Sequence, residues 1–198
     1  MKITKVETEI VTLPLPEVIG SALGNISHFG CVLVSIETSS GIKGENLIFT
    51  LNNRRTKILQ TTVEELSDLV IGRDAGHIAD FWARAWKDIN FLGHKGVTIM
   101  GISALDGALW DILGRSLNTP LYRLLGGAKP RVPVYHSGGL WLSLSEKDLV
   151  AEAEKFVEQG FRAIKMRLGL KNPQEDAARV RAVRKAIGPD IKLMADAN

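Results

Sequence analysis

Two spacings of apolar residues divide the chain. From Ile3 to Thr12, and again from Cys31 to Thr38, β-branched residues dominate, which predicts strands. Ser39-Ser40-Gly41 then turns the second of these into a partner strand. Between the first two strands, residues 14–30 hold Pro14, Pro16, Gly20, Gly24 and His28, and read as an irregular loop. From Arg54 to about Leu117 the period is helical: Ile58, Val63, Leu66, Leu69 and Val70, then Phe81, Trp82, Ala85, Trp86 and Ile89. Trp82 and Trp86, four apart, read as core packing. Asn118-Thr119-Pro120 and Gly126-Gly127 end this region. Residues 1–129 are therefore predicted to form an α+β capping domain, a β-meander followed by helices.

After Pro130 strands and helices alternate. Val132–Tyr135 predicts a short strand that leads into His136-Ser137-Gly138-Gly139. Ser145 and Asp148 make a capping box for a helix built on Leu149, Val150, Ala153, Phe156 and Val157, and Gly160 ends it. A strand over Phe161–Leu168, a helix between Asn172-Pro173 and Gly188-Pro189, and a last strand from Ile191 complete the chain. Residues 130–198 thus predict three strands and two helices of an α/β barrel. A whole barrel takes about 250 residues. The remainder is expected to be missing from this chain, by truncation or cleavage or because it sits on another polypeptide. A bare parallel edge would expose unpaired backbone groups, so the missing C-terminal part is expected to be required.

Alternation along the last two strands selects the chemistry. Ile164, Met166 and Leu168 share one face, leaving Lys165 and Arg167 on the other. In the final strand Met194, Asp196 and Asn198 share a face. If the strands are parallel neighbours, these cations, the acid and the amide gather at the C-terminal mouth, where such barrels keep their active sites.

Composition narrows the partners. Lys plus Arg number 25 against 22 Asp plus Glu, and a net charge of +3 is too small to argue for nucleic acid or an anionic membrane. Arg179, Arg181, Arg184 and Lys185 form a basic run that reads as a solvated outer barrel face. The single cysteine, Cys31, precludes an intramolecular disulfide, and no apolar run approaches the roughly 20 residues of a membrane span. Met-Lys-Ile-Thr-Lys-Val-Glu is no signal peptide. These features predict a cytoplasmic protein. Asp106 and Asp111, inside an apolar segment, read as partners of a neighbouring arginine or as caps.

The Lys-x-Arg pair at 165–167 and Asp196-Ala197-Asn198 resemble the mandelate racemase and muconate-lactonizing enzyme branch of the enolase superfamily. So does Ile102-Ser-Ala-Leu-Asp-Gly-Ala-Leu-Trp-Asp-Ile-Leu-Gly-Arg followed by Pro120-Leu-Tyr-Arg-Leu-Leu-Gly-Gly, with Gly101 where alanine is usual. The resemblance implies a cap domain and the start of a (β/α)7β barrel. It implies Mg2+ with Asp196 as the first of three carboxylate ligands, and a small carboxylate, a sugar acid, as substrate. Arg167 stands where the family usually has a lysine base. Arginine hardly ever deprotonates, so Arg167 is cast as an electrostatic clamp and Lys165 as the group that polarises the carboxylate or acts as base. That combination favours a sugar-acid dehydratase; the alternatives are a racemase, epimerase or cycloisomerase, an inactive carboxylate-binding relative, or a structural fragment. The resemblance makes residues 14–30 the mobile loop over the barrel mouth, with His28 either a substrate contact or solvent-facing. It also implies homo-oligomers. Ser137, at the end of the first barrel strand, and Asn198 complete the candidate substrate-binding set.

Overall fold

The computed structural model describes residues 1–21 and 24–197 and resolves two compact units, residues 1–15 with 28–128 and residues 16–27 with 129–198. β1 (Ile3–Ser21), β2 (Gly24–Thr38) and β3 (Lys43–Leu51) form a sheet in that order, most of it in the first unit. The β2–β3 pair is antiparallel, in the register Val32↔Ile48 and Leu33↔Leu47. Val32, Val34 and Ile36 alternate onto the buried face. There they meet α1 (Thr56–Leu66), α2 (Ile78–Asp88) and α3 (Val97–Ser116) through Leu59, Val63, Phe81, Ile102, Leu105, Leu109 and Ile112. A side chain on Gly44 of β3 would strike the carbonyl of Ala108 and come within 2.6 Å of Ile112 Cγ1, so β3 and α3 pack backbone to backbone. A short α4 (Leu121–Leu124) follows.

Three expectations change here. Residues 14–30 are mostly strand, not loop: β1 continues to Ser21, β2 starts at Gly24, and His28 lies on β2. β1 is an edge strand, and prolines at alternate positions such as 14 and 16 can place their missing N–H groups on its open side. Trp86 is exposed and stacks on His94 with centroids 4.0 Å apart, whereas Trp82 packs against the core. Third, α3 is 20 residues long with mean hydropathy 1.3, enough by length and composition to cross a membrane. Half of it is buried, with Ile102, Leu105, Leu109 and Ile112 inside the core of this unit. Asp111 on this helix pairs with Arg115 at 2.8 Å and accepts the amide of Glu45, while Asp106 accepts the indole N–H of Trp82 at 2.7 Å.

In the second unit, β4 (Ala163–Arg167) and β5 (Lys192–Asp196) are parallel neighbours, in register from Ala163↔Lys192 to Arg167↔Asp196. The helices α5 (Glu146–Glu158) and α6 (Pro173–Ile187) cover one face. Ile164 and Met166 are fully buried there among Leu149, Phe156, Val183 and Ile187. Burial of each such side chain contributes about 1.5–3 kcal/mol. Caps fix where the helices start: Ser145 Oγ accepts the Asp148 amide, and Asn172 accepts the Gln174 amide ahead of Pro173. Glycines with positive φ, Gly160 at 92° and Gly188 at 73°, turn the chain back after each helix.

Val132–Tyr135 does not form the expected strand. Pairing begins only at His136, which bridges in parallel to Ile164 and exchanges hydrogen bonds of 2.9 Å with Ala163 and Lys165. Val132, Val134 and Tyr135 are exposed, so their β-branched and aromatic side chains have no pleated surface to pack on, and Pro133 lacks a ladder donor.

Candidate active site

The parallel register of β4 and β5 brings their C-terminal ends together. Lys165 lies on the face opposite Ile164 and Met166, and its Nζ reaches across the strands to Asp196 Oδ2 at 2.8 Å. The pair is partly buried, the side chains being 18% and 35% exposed. The ammonium also lies 5.9 Å from the centroid of Tyr135. A charged donor and a hard oxygen acceptor therefore share one end of the sheet.

Arg167, one position beyond Met166, is only 6% exposed. One terminal nitrogen donates to the Ser137 carbonyl at 2.9 Å and to Ser137 Oγ at 3.3 Å; the other makes a long 3.4 Å contact to the Lys165 carbonyl. Its guanidinium carbon sits 4.2 Å from the centroid of the Trp141 ring. A buried guanidinium is costly unless its donors are used, and here Ser137 takes one terminal nitrogen while the Trp141 ring covers the guanidinium. The same segment is tied to α5, where Glu152 Oε2 accepts the Leu140 amide at 2.6 Å, and to β4, where the Arg167 amide donates to the Leu140 carbonyl at 3.1 Å.

The structure thus brings Lys165, Arg167, Asp196 and Ser137 into one constellation. His28 is half-buried on β2 in the first unit. Asn198 lies outside the described residues. Two participants escaped the sequence reading. Trp141 had no periodic signal. Arg179, read as part of a solvated basic face, is 7% exposed and donates to the carbonyls of Leu144 at 2.6 Å and Trp141 at 3.0 Å.

Asp196 suits a hard divalent cation as one oxygen ligand, since Mg2+ prefers carboxylate oxygens in octahedral geometry. One carboxylate is not a complete site. Among the described residues no group of three or more His, Cys, Asp or Glu side chains could hold a metal.

A cap of three strands and packed helices, followed by the first parallel strands of an α/β barrel with a Lys–Asp pair at their C-terminal ends, defines an enolase-superfamily architecture. Residues 4–126 match the mandelate racemase/muconate lactonizing enzyme N-terminal domain, and residues 148–198 match the enolase C-terminal domain-like family. The chain belongs to the mandelate racemase/muconate lactonizing enzyme family. It is 38% identical over 197 residues to the 3,6-anhydro-alpha-L-galactonate cycloisomerase of Streptomyces coelicolor, covering 99% of this chain and 54% of that protein. It is 36% identical over 171 residues to the arabinonate dehydratase of Saccharolobus solfataricus, covering 84% and 45%. Among solved structures, a Streptomyces coelicolor racemase with bound magnesium superposes with a TM-score of 0.93 at 37% identity, covering 99% of this chain and 55% of that one. The L-talarate/galactarate dehydratase of Salmonella typhimurium, liganded with Mg and L-lyxarohydroxamate, gives a TM-score of 0.92 at 25% identity, covering 100% and 52%. The chain spans about half the length of these relatives.

Proposed function

We propose that the protein is a Mg2+-dependent enzyme that removes the proton α to the carboxylate of a sugar acid and expels the β-hydroxyl, a sugar-acid dehydratase. The observation that carries this reading is the 2.8 Å contact between Lys165 Nζ and Asp196 Oδ2 at the ends of adjacent parallel strands. Asp196 would serve as one metal ligand, and by the family resemblance the other ligands are acids ending later barrel strands. When bound, the cation stabilises the negative charge that develops on a substrate carboxylate.

The chain's own residues supply the rest. Paired with a carboxylate, Lys165 is an ammonium donor placed to polarise the substrate carboxylate; to serve as the base instead it must first give up a proton, and only the neutral amine then accepts the α-proton. Arg167 stays protonated and contributes fixed positive charge in a water-poor setting, where such charge acts most strongly on a developing anion. Ser137 holds that charge in place, and by the family resemblance Asn198 is a candidate substrate contact. The free, buried thiol of Cys31 fits a cytoplasmic setting. The exposed apolar side chains Leu33, Leu47 and Phe49 on the cap sheet fit a homo-oligomer.

The test is Mg2+-dependent exchange of the α-proton in D2O, followed by NMR on arabinonate, galactarate and mannonate, with the full-length protein and its Asp196→Ala variant. Exchange that disappears with Asp196 supports the reading. Absence of exchange with every acid, in folded protein with saturating metal, replaces it with a carboxylate-binding relative that does no chemistry. Cycloisomerisation is the second reading, favoured by the 38% identity to a cycloisomerase across nearly the whole chain. Mass spectrometry of the product separates them, because dehydration removes water and cycloisomerisation leaves the mass unchanged.

A further inference from the structure

We infer that Arg179 is a positioning residue of the site, acting through Trp141 on Arg167; the inference rests on the reaction proposed above only for its kinetic consequence. Arg179 projects from α6 into the protein at 7% exposure and spans two backbone carbonyls, Leu144 at 2.6 Å and Trp141 at 3.0 Å. These carbonyls bracket the segment that carries the indole lying 4.2 Å from the Arg167 guanidinium. No carboxylate lies within 4 Å of Arg179 among the described residues, and its buried Nε has no hydrogen-bond partner. A buried cation with no carboxylate partner carries a desolvation cost that an apolar residue of similar volume would not. What the guanidinium provides instead is a rigid fork that fixes two carbonyls at once.

The same helix holds the other side of the site. Asp176, three residues before Arg179, accepts the amides of Gly169 and Leu170 at 3.0 and 3.1 Å, in the segment that leaves β4 just after Arg167. α6 therefore grips both backbone segments that flank Arg167: one by its carbonyls through a cation, the other by its amides through an anion. Trp141 is the movable part. Without Arg179 the turn from Trp141 to Leu144 loses its hold on α6 and keeps its own 3.2 Å hydrogen bond, between the Leu144 amide and the Trp141 carbonyl, beside the Leu140 anchors to Glu152 and to the Arg167 amide.

The experiment labels the full-length protein with 5-fluorotryptophan and assigns the Trp141 resonance with Trp141→Phe. Arg179→Met is expected to shift and narrow that resonance while those of Trp82, Trp86 and Trp110 stay in place. Misplacement of a site group by about 1 Å costs on the order of 100-fold in rate. α-Proton exchange on whichever of arabinonate, galactarate or mannonate the wild type exchanges fastest should therefore fall by about 10- to 100-fold. Trp141→Leu should cause a similar loss, and combining it with Arg179→Met should add nothing, since the two act in series; a purely structural arginine would give additive losses. Arg179→Lys keeps the charge and one donor, so it should restore part of the resonance position and part of the rate, and it supplies the same reading should the methionine variant not fold. An unmoved Trp141 resonance, or additive losses, overturns the inference. A wild type that exchanges no acid defeats the proposed reaction alone, and the fluorine resonance still decides whether Arg179 holds Trp141.

Discussion

Arg167 is where the proposed chemistry and the packing make a joint, measurable demand. Its guanidinium makes one good charged hydrogen bond, 2.9 Å to the Ser137 carbonyl, two long contacts, and a stack on Trp141 at 4.2 Å. A charge-assisted hydrogen bond contributes about 1.5–3 kcal/mol and a partly desolvated cation–π contact about 1 kcal/mol. Against these stands the desolvation of a cation that is 6% exposed, which truncation relieves. Arg167→Met should therefore destabilise by about 2–3 kcal/mol, leaving the Ser137 carbonyl without its donor. Arg167→Lys keeps a point charge that can reach one acceptor but loses the planar stack, and should cost about 1–2 kcal/mol. Urea unfolding of the full-length variants reads both values. In D2O exchange, Arg167→Lys should retain part of the rate and Arg167→Met almost none, if fixed positive charge is what this position supplies. Equal stability of Arg167→Met and wild type would refute the packing arithmetic. Undiminished exchange in Arg167→Met would remove Arg167 from the site.

Three further outcomes test other links. Gly44→Ala must push β3 from α3, because its Cβ would meet the Ala108 carbonyl and lie 2.9 Å from the Ile112 amide nitrogen, atoms that cannot rotate away; about 1–3 kcal/mol of cap stability should be lost on urea unfolding. Ser145→Ala removes the cap that accepts the Asp148 amide and should cost about 1 kcal/mol, with faster amide exchange confined to the first turn of α5. The Glu7 carboxyl is held below the ordinary glutamate range, first by its hydrogen bond from Lys5 and then by the charge of that lysine. Its stabilising contribution is thus present above the ordinary range and is lost as pH falls through the lowered midpoint. Lys5→Ala should raise that midpoint in a carbon-detected NMR titration, and an unmoved midpoint would exclude Lys5 as the cause.

What could be read from the chain followed the strength of its local signals. Period two placed Ile164 and Met166 under the helices and left Lys165 and Arg167 on the other face, and parallel pairing then set Asp196 beside Lys165. Residues 14–30 misled because Pro14 and Pro16 punctuate a chain only where their nitrogens are needed, and on an edge strand they are not. Val132–Tyr135 misled in the opposite sense, since β-branched residues make a strand only against neighbours, and these are exposed. Trp141 belongs to a turn whose place depends on side chains reaching in from two helices, and no local rule carries that. Arg179 is different, because its signal was present. It lies four residues before Val183 and eight before Ile187, on the stripe that α6 buries, whereas Arg181 and Lys185 lie off that stripe and are exposed. Arg184, also off that stripe, is half-buried and donates to the carbonyls of Gly188 and Ile191, so the run is not one solvated face. A cation on an apolar stripe must find oxygen atoms inside the protein, and the carbonyls of Trp141 and Leu144 are where this one finds them.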